Sequence, residues 1–331
     1  MILLAGGAGY IGSHANKMLN SMGYETIVYD SLSRGHRELV QWGNFVQGDL
    51  ADKDSLRNCF SNYHIDAVMH YGALIEVGES VQHPSKYYRN NVLNTLNLLD
   101  VMAEYKVKYF IFSSSCAIYQ PHSRKPIAED QPQQPLTPYG KSKFMVEKIL
   151  EDYDTAYGIR YASLRYFNAA GADPFGLIGE WHNPETHLVP LVLQAAAGMR
   201  DCINIYGTDY DTPDGTCIRD YVHVNDLAAA HILALQHVQK RDVSDVFNLA
   251  NTRGYSVREV IETARLVTGR PIVVVEKDRR PGDADILIGD ADKARNILGW
   301  KSQYPGLEEI IQTAWTWQKT KTWHKDTFAK Q

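Results

Sequence analysis

The chain opens Met1-Ile2-Leu3-Leu4-Ala5-Gly6-Gly7-Ala8-Gly9-Tyr10-Ile11-Gly12-Ser13-His14. Residues 1–5 are a short apolar run of the kind that forms a buried strand. A helical pattern follows from residue 13 to about 22. The glycines between them fit both Gly-x-Gly-x-x-Gly (Gly7, Gly9, Gly12) and Gly-x-x-Gly-x-x-Gly (Gly6, Gly9, Gly12). Glycines here permit a tight turn, let backbone approach a pyrophosphate and allow close helix–strand packing. The helix N-terminus then offers free N–H groups and a positive dipole end to phosphate. A second strand, 25–29, ends in Asp30, eighteen residues after Gly12 (30 − 12). An acid so placed bonds the hydroxyls of an adenosine ribose and repels a 2′-phosphate. The expected ligand is therefore NAD rather than NADP.

Further along, Thr137-Pro138-Tyr139-Gly140-Lys141-Ser142-Lys143 starts another helix. Thr137 suits the cap and Pro138 the first turn. Tyr139 and Lys143 are four apart and share a helix face. A free phenol, with a pKa of about 10, is a poor base at neutral pH. A nearby ammonium and the positive nicotinamide ring both favour the phenolate. A depression of about three units would make Tyr139 a general base near pH 7. Residues 108–112 read as a strand, with Ser113-Ser114-Ser115 at its carboxyl end, where open parallel sheets bind ligands. A serine hydroxyl there can bond both a substrate hydroxyl and the phenol.

Strands expected at 1–5, 25–29, 44–47, 66–70, 108–113 and 160–165 alternate with helices, as parallel βαβ units require. The fold class is α/β, a Rossmann-type doubly wound parallel sheet with a smaller α/β substrate-binding lobe. Residues 1–170, joined by about 221–250, form the NAD-binding domain. Residues 171–220 and 251–331 form the second lobe. Residues 245–249 read as a strand rejoining the large sheet, and Asp226 as the cap of a helix at 227–236.

Together these residues resemble the extended short-chain dehydrogenase/reductase family, most closely its UDP-glucose (UDP-galactose) 4-epimerase group. The resemblance runs over nearly the whole chain. It takes in the glycine loop, Val77-Gly78-Glu79-Ser80, Asn90-Asn91 and residues 112–115. It continues through 138–143, Arg165-Tyr166-Phe167-Asn168, 184–194, 214–226, 279–283 and Leu298-Gly299-Trp300. It implies an NAD site made of Gly6, Gly9, Tyr10, Ile11, Gly12, Asp30, Ser31, Asp49, Leu50, Tyr71, Asn90, Ser113, Tyr139, Lys143 and Phe167. Ser115, Tyr139 and Lys143 would be catalytic, with Ser115 and Tyr139 flanking the sugar 4-hydroxyl. Asn168, Leu188, Tyr206, Arg219, Arg280 and Asp283 would hold a UDP-sugar. Two arginines suit a diphosphate, because guanidinium forks match phosphate oxygens.

The implied reaction takes hydride from C4 to NAD+ and returns it to the opposite face of a 4-keto sugar; the alternatives are an epimerase acting mainly on another UDP-sugar (UDP-N-acetylglucosamine, UDP-xylose/arabinose or UDP-glucuronate) and a non-catalytic NAD-binding sensor or scaffold. Leu287 falls where the family limits the sugar pocket. Ala5, Ile75, Cys116, Gln120 and His187 depart from the usual pattern. Cys116-Ala117 stands where 4,6-dehydratases carry Asp-Glu, which disfavours elimination. The family also implies a homodimer through helices at about 84–104 and 138–157, with Val92, Leu96, Leu99, Met145, Val146 and Ile149 as apolar contacts.

Composition agrees. The 331 residues carry a formal net charge of −5, so no nucleic-acid partner is expected. Cys59, Cys116, Cys202 and Cys217 lack metal-ligand spacing and read as free thiols. His70, His223 and His231 read as structural, and no metal is expected. A strand at the first residues leaves no room for a signal peptide, and no apolar run approaches the ~20 residues of a membrane span. The expectation is a cytoplasmic protein with no membrane partner.

Overall fold

The computed structural model describes residues 1–120, 125–280 and 282–320. Pro281 and the last eleven residues assigned above to the small lobe lie outside them. In chain order the strands are β1 (Ile2–Ala5), β2 (Thr26–Asp30), β3 (Asn44–Gln47), β4 (Ala67–His70), β5 (Tyr109–Ser113), β6 (Arg160–Tyr166), β7 (Asn168–Ala170), β8 (Ile203–Tyr206), β9 (Ile218–His223), β10 (Asp245–Leu249), β11 (Gly254–Ser256), β12 (Val274–Lys277) and β13 (Ile286–Leu287).

Seven of them form one parallel sheet in the order β10-β6-β5-β4-β1-β2-β3. Every residue of β1, β2 and β4 is buried, as a sheet covered on both faces demands. Alternate side chains divide between two cores. Leu4, Met69, Ile111 and Leu164 pack with Leu227 and Leu235 on one face. Leu3, Val68, Phe110 and Phe112 pack with Leu56, Leu98 and Val146 on the other. The strand order reverses between β1 and β4, β2 and β3 being added on one side of β1 and β4, β5 and β6 on the other, which opens a crevice at their carboxyl ends.

Beyond the sheet's carboxyl edge, β9 pairs with β7, β11 and β13, and β8 pairs with β12. Helices Leu188–Ala196, Val257–Thr268 and Leu307–Thr320 share a third core with them. The seven expected strands are all present within one or two residues of their predicted ends.

Three expectations need correction. The first helix runs Tyr10–Ser21, three residues earlier than the apolar period suggests, because Gly9 is its cap. Asp226 does not cap its helix. That helix is Val224–Arg241, and the His223 ring accepts the Asn225 N–H instead. The Asp226 carboxylate accepts from Ser302 Oγ at 2.7 Å, Gln303 N at 2.9 Å and Tyr304 N at 3.1 Å. It thereby ties a distant loop to the first turn of that helix. Finally, Leu99 and Val146, read as outward-facing, are fully buried in the sheet core. Met145 is 43% exposed and Leu93 48%.

The three histidines read as structural are structural. His70 bonds Thr95, His231 bonds Ser113, and His223 bonds Thr313, all in buried positions. Among the described residues no helix is long and apolar enough to cross a membrane.

Candidate active site

The crevice is a cleft of about 460 Å³ lined by the glycine loop, the ends of β2 and β5, and the start of the Pro138–Tyr157 helix. Its floor depends on absent side chains. A Cβ at Gly6, where φ is +79°, would lie 2.3 Å from Gly72 N. One at Gly12 would lie 2.7 Å from Gly6 O. At Gly9, the nearest atom to such a Cβ is 3.4 Å away, so the loop's outer side stays open. Gly9 also caps the Tyr10–Ser21 helix without a side chain, leaving its N-terminus to an anion. Asp30 closes the other end. Its carboxylate accepts from Ala8 N at 2.9 Å and Leu32 N at 2.8 Å, so the same acid fixes the loop and faces the cleft. Burial raises its pKa, and those two N–H groups oppose the rise.

An open, side-chain-free phosphate cradle with an acid at the ribose end fits a dinucleotide such as NAD. Tyr10, Ile11, Ser31, Asp49, Leu50, Tyr71 and Phe167 all line the cleft as expected. Asn90 does too, on a π-helical turn, Tyr88–Leu93. Its neighbour Asn91 is buried and bonds Leu74 O at 3.0 Å and Ser142 Oγ at 3.1 Å, anchoring that turn.

Thr137 caps the Pro138–Tyr157 helix, its hydroxyl accepting from Gly140 N at 3.3 Å. One face of that helix, at positions 139, 143 and 147, meets the end of β5. The Lys143 ammonium donates to Ser113 O at 2.7 Å and lies 4.9 Å from the Phe112 ring centre. Ser114 Oγ donates to Glu147 at 2.5 Å, and Arg165 clamps that carboxylate at 2.6 Å. Ser115 opens a short turn, its hydroxyl accepting from Ala117 N at 3.1 Å. Gly140 makes the approach possible, since a Cβ there would lie 2.3 Å from Ala117 O. Gly140 and Glu147 were not singled out by the sequence. Their signal, a glycine and an acid on the Tyr139–Lys143 face, has meaning only once β5 is seen against it.

The electrostatics correct one expectation. Burial pushes the Tyr139 phenol up, Tyr166 adds to this, and Ser115 opposes it. Burial also pulls the Lys143 ammonium down to about 7, with Glu147 opposing. The ammonium sits 6.0 Å from the Tyr139 ring centre and is turned to Ser113. The protein's own groups therefore do not lower the phenol toward neutrality. Ser113 does not line the cleft and serves as a support for Lys143.

Across the cleft, Asn168 and Leu287 line the wall. Asn168 donates to Asp220 O at 2.8 Å. Leu287 pairs in register with Arg219, whose guanidinium is ion-paired to Asp283. Arg280 lies over the Tyr206 ring at 3.9 Å. Leu188 begins its helix, half-buried. Arg219, Arg280, Asp283, Tyr206 and Leu188 are thus grouped on the small lobe, apart from the cleft's inner wall. The sequence marks His187 only as a departure from the usual pattern and does not single out Glu180, His182 or Glu185. The structure draws their side chains together at the cleft's edge. Their spacing, Glu-x-His-x-x-Glu-x-His, was the available signal.

Residues 2–250 match the NAD dependent epimerase/dehydratase family. The chain is 49% identical to a UDP-glucose 4-epimerase of Halalkalibacterium halodurans over 96% of its own length and 95% of the relative's. The solved UDP-glucose 4-epimerase of Brucella ovis in complex with NAD superposes with a TM-score of 0.93 at 49% identity, covering 95% of this chain and 97% of that one. That of Bifidobacterium longum in complex with NAD+ and UDP gives 0.91 at 38% identity, covering 96% and 98%.

Asp30→Ala removes both a loop tether and the acid at the ribose end. It should weaken NAD binding at least tenfold, or about 1.4 kcal/mol, and narrow the preference over NADP. Fluorescence titration with the two reduced cofactors checks this. An unchanged ratio of the two affinities would remove Asp30 as the discriminator.

Proposed function

The chain belongs to the NAD dependent epimerase/dehydratase family, and from that premise we propose that it interconverts UDP-glucose and UDP-galactose by NAD-dependent 4-epimerisation. The observation that carries the reading is the meeting of Ser115, Tyr139 and Lys143 beside an open phosphate cradle. The arginine-bearing lobe opposite supports a nucleoside diphosphate.

NAD, when bound, supplies the hydride acceptor and donor for C4 and a positive ring that favours the Tyr139 phenolate. The glycine loop and the bare helix N-terminus would hold its pyrophosphate, Asp30 its adenosine ribose, and Lys143 its other ribose. Tyr139 takes the proton from the sugar 4-hydroxyl and returns one to the 4-keto oxygen. Ser115 bonds the same oxygen and holds it toward the phenol. A buried phenol that resists ionisation on its own becomes a base only in the loaded site, which restricts proton abstraction to bound substrate. Arg219 and Arg280 grip the diphosphate, Tyr206 lies beside the uracil, and Asp283 holds the ribose. Asn168 and Leu188 complete that subsite. The sugar itself must be held loosely, since the 4-keto form has to present both faces to C4 chemistry.

Separate incubation with UDP-glucose, UDP-galactose, UDP-N-acetylglucosamine, UDP-xylose and UDP-glucuronate, with identification of products, tests the substrate assignment. Tyr139→Phe should lower kcat by about 10²–10⁴-fold while leaving UDP binding unchanged, because only the proton acceptor is lost. Near-native turnover would overturn the assigned base.

Leu287 sets the sugar range in this reading. It is half-buried on the cleft wall, beside Arg219. Steric exclusion by a few methylenes is worth about 1–3 kcal/mol, or 10–200-fold. The plain hexoses should be the main substrates, with weaker turnover of UDP-N-acetylglucosamine. Leu287→Tyr should suppress the acetylated sugar selectively. The same substrate ratio in both proteins would show that this wall is not the gate.

The half-buried and exposed apolar side chains on the helices at 84–104 and 138–157, chiefly Leu93, Leu96 and Met145, support a homodimer through these helices. Sedimentation at micromolar concentration should give twice the 37.4 kDa chain mass. A monomer would contradict it.

A further inference from the structure

Residues 180–187 carry two buried carboxylates and two imidazoles whose donor atoms all lie within 4.8 Å of one another. His187 Nδ1 is 2.9 Å from Glu180 Oε1 and 3.0 Å from Glu185 Oε1. His182 Nδ1 is 3.2 Å from Glu180 Oε1 and 3.6 Å from Glu185 Oε2. The two rings tilt toward each other with centres 5.1 Å apart. From these positions we propose that Glu180, His182, Glu185 and His187 form a binding site for one Zn²⁺-class divalent cation at the edge of the cleft.

Three features favour a cation over a simple ion-paired cluster. The first is spacing. Zinc bonds of about 2.0–2.1 Å to nitrogen and oxygen put the corners of a tetrahedron roughly 3.3 Å apart. The four nitrogen–oxygen separations fall on either side of that value. The second is the direction of His182. Its buried Nδ1 lies between two carboxylates yet makes no hydrogen bond of good geometry to either. A nitrogen aimed between carboxylates rather than at one is placed as a ligand. The third is charge. The Glu180 and Glu185 side chains are only 7% and 6% exposed. Buried carboxylates need compensating charge, and one divalent cation balances both while leaving the imidazoles neutral, the form that ligates.

The segment is also held in place on either side of the donors. Trp317 Nε1 donates to Glu180 O at 2.9 Å, and the Trp181 ring stacks on His36 at 3.6 Å. His187 is the residue before the Leu188–Ala196 helix. Imidazole and carboxylate donors without thiolate suit zinc and its neighbours among the first-row divalent ions rather than Mg²⁺ or Ca²⁺, which take oxygen ligands. A cation here would clasp the chain between β7 and that helix, the stretch that walls the cleft through Glu180, His182 and His187. The site involves neither Tyr139 nor the phosphate cradle, so it stands or falls apart from the proposed reaction.

The test is metal titration of the full-length protein stripped with a chelator. Zn²⁺ is titrated at pH 8 against a chromophoric competitor, and Co²⁺ binding is followed by visible absorbance. The expected result is one equivalent per chain with a Kd on the order of 1 μM or tighter, and the intense visible bands of four-coordinate Co²⁺. His182→Ala should weaken binding by roughly 100-fold. Glu185→Gln, which keeps the side-chain volume, should do the same while retaining the wild-type circular dichroism. Stoichiometric binding left unchanged by both substitutions would overturn the site. So would the absence of binding, or a thiolate-to-cobalt charge-transfer band, which would put the ion on a cysteine.

Discussion

One helix face pressed against one strand end organises this molecule. Tyr139, Lys143 and Glu147 are spaced four apart on the Pro138–Tyr157 helix, and they meet Ser115, Ser113 O and Ser114 at the end of β5. The approach is close enough that residue 140 has no room for a side chain. The Glu147–Arg165 pair beneath is buried on both sides. Breaking such a pair from one side leaves an uncompensated buried charge, at about 3–5 kcal/mol. Lys143 and Tyr139 are thus held by parts of the structure that do no chemistry.

That arrangement has an energetic consequence. Burial disfavours both the Lys143 ammonium and the Tyr139 phenolate, so the protein's own groups hold this proposed catalytic pair away from its charged forms. Sites that store such unfavourable electrostatics trade stability for function. The parallel sheet carries the trade. Its central strands are buried along their whole length, and two cores cover its faces. The glycine loop sits at the point where the strand order reverses, so that loop and the Pro138–Tyr157 helix converge on one crevice.

Much of this was legible in the sequence, for physical reasons that differ by element. The central strands of a two-sided parallel sheet are continuous apolar runs, as β1 and, short of His70, β4 are, and all seven strands stand within one or two residues of where they are expected. The Gly6–Gly12 pattern and the i, i+4 pair Tyr139–Lys143 are local, and local spacing survives folding. Non-local partnerships were not legible. Asp226 looks like a helix cap because it stands near a helix start. Only the fold shows that its carboxylate accepts from residues 302–304. Leu99 and Val146 look free to face a partner until the sheet covers them. The sign of the shift at Tyr139 follows from burial, which no spacing reports. The four donors at 180–187 are close in sequence, yet their convergence depends on a loop path that periodicity does not encode.

The central claim is that hydride leaves C4 of the sugar and returns to it inside one closed site. UDP-glucose deuterated at C4 tests it most directly, with the product analysed by mass spectrometry and proton NMR. The account predicts UDP-galactose that keeps its deuterium at C4, with no exchange into solvent. Loss of the label to water, or a product unchanged in configuration at C4, would contradict it.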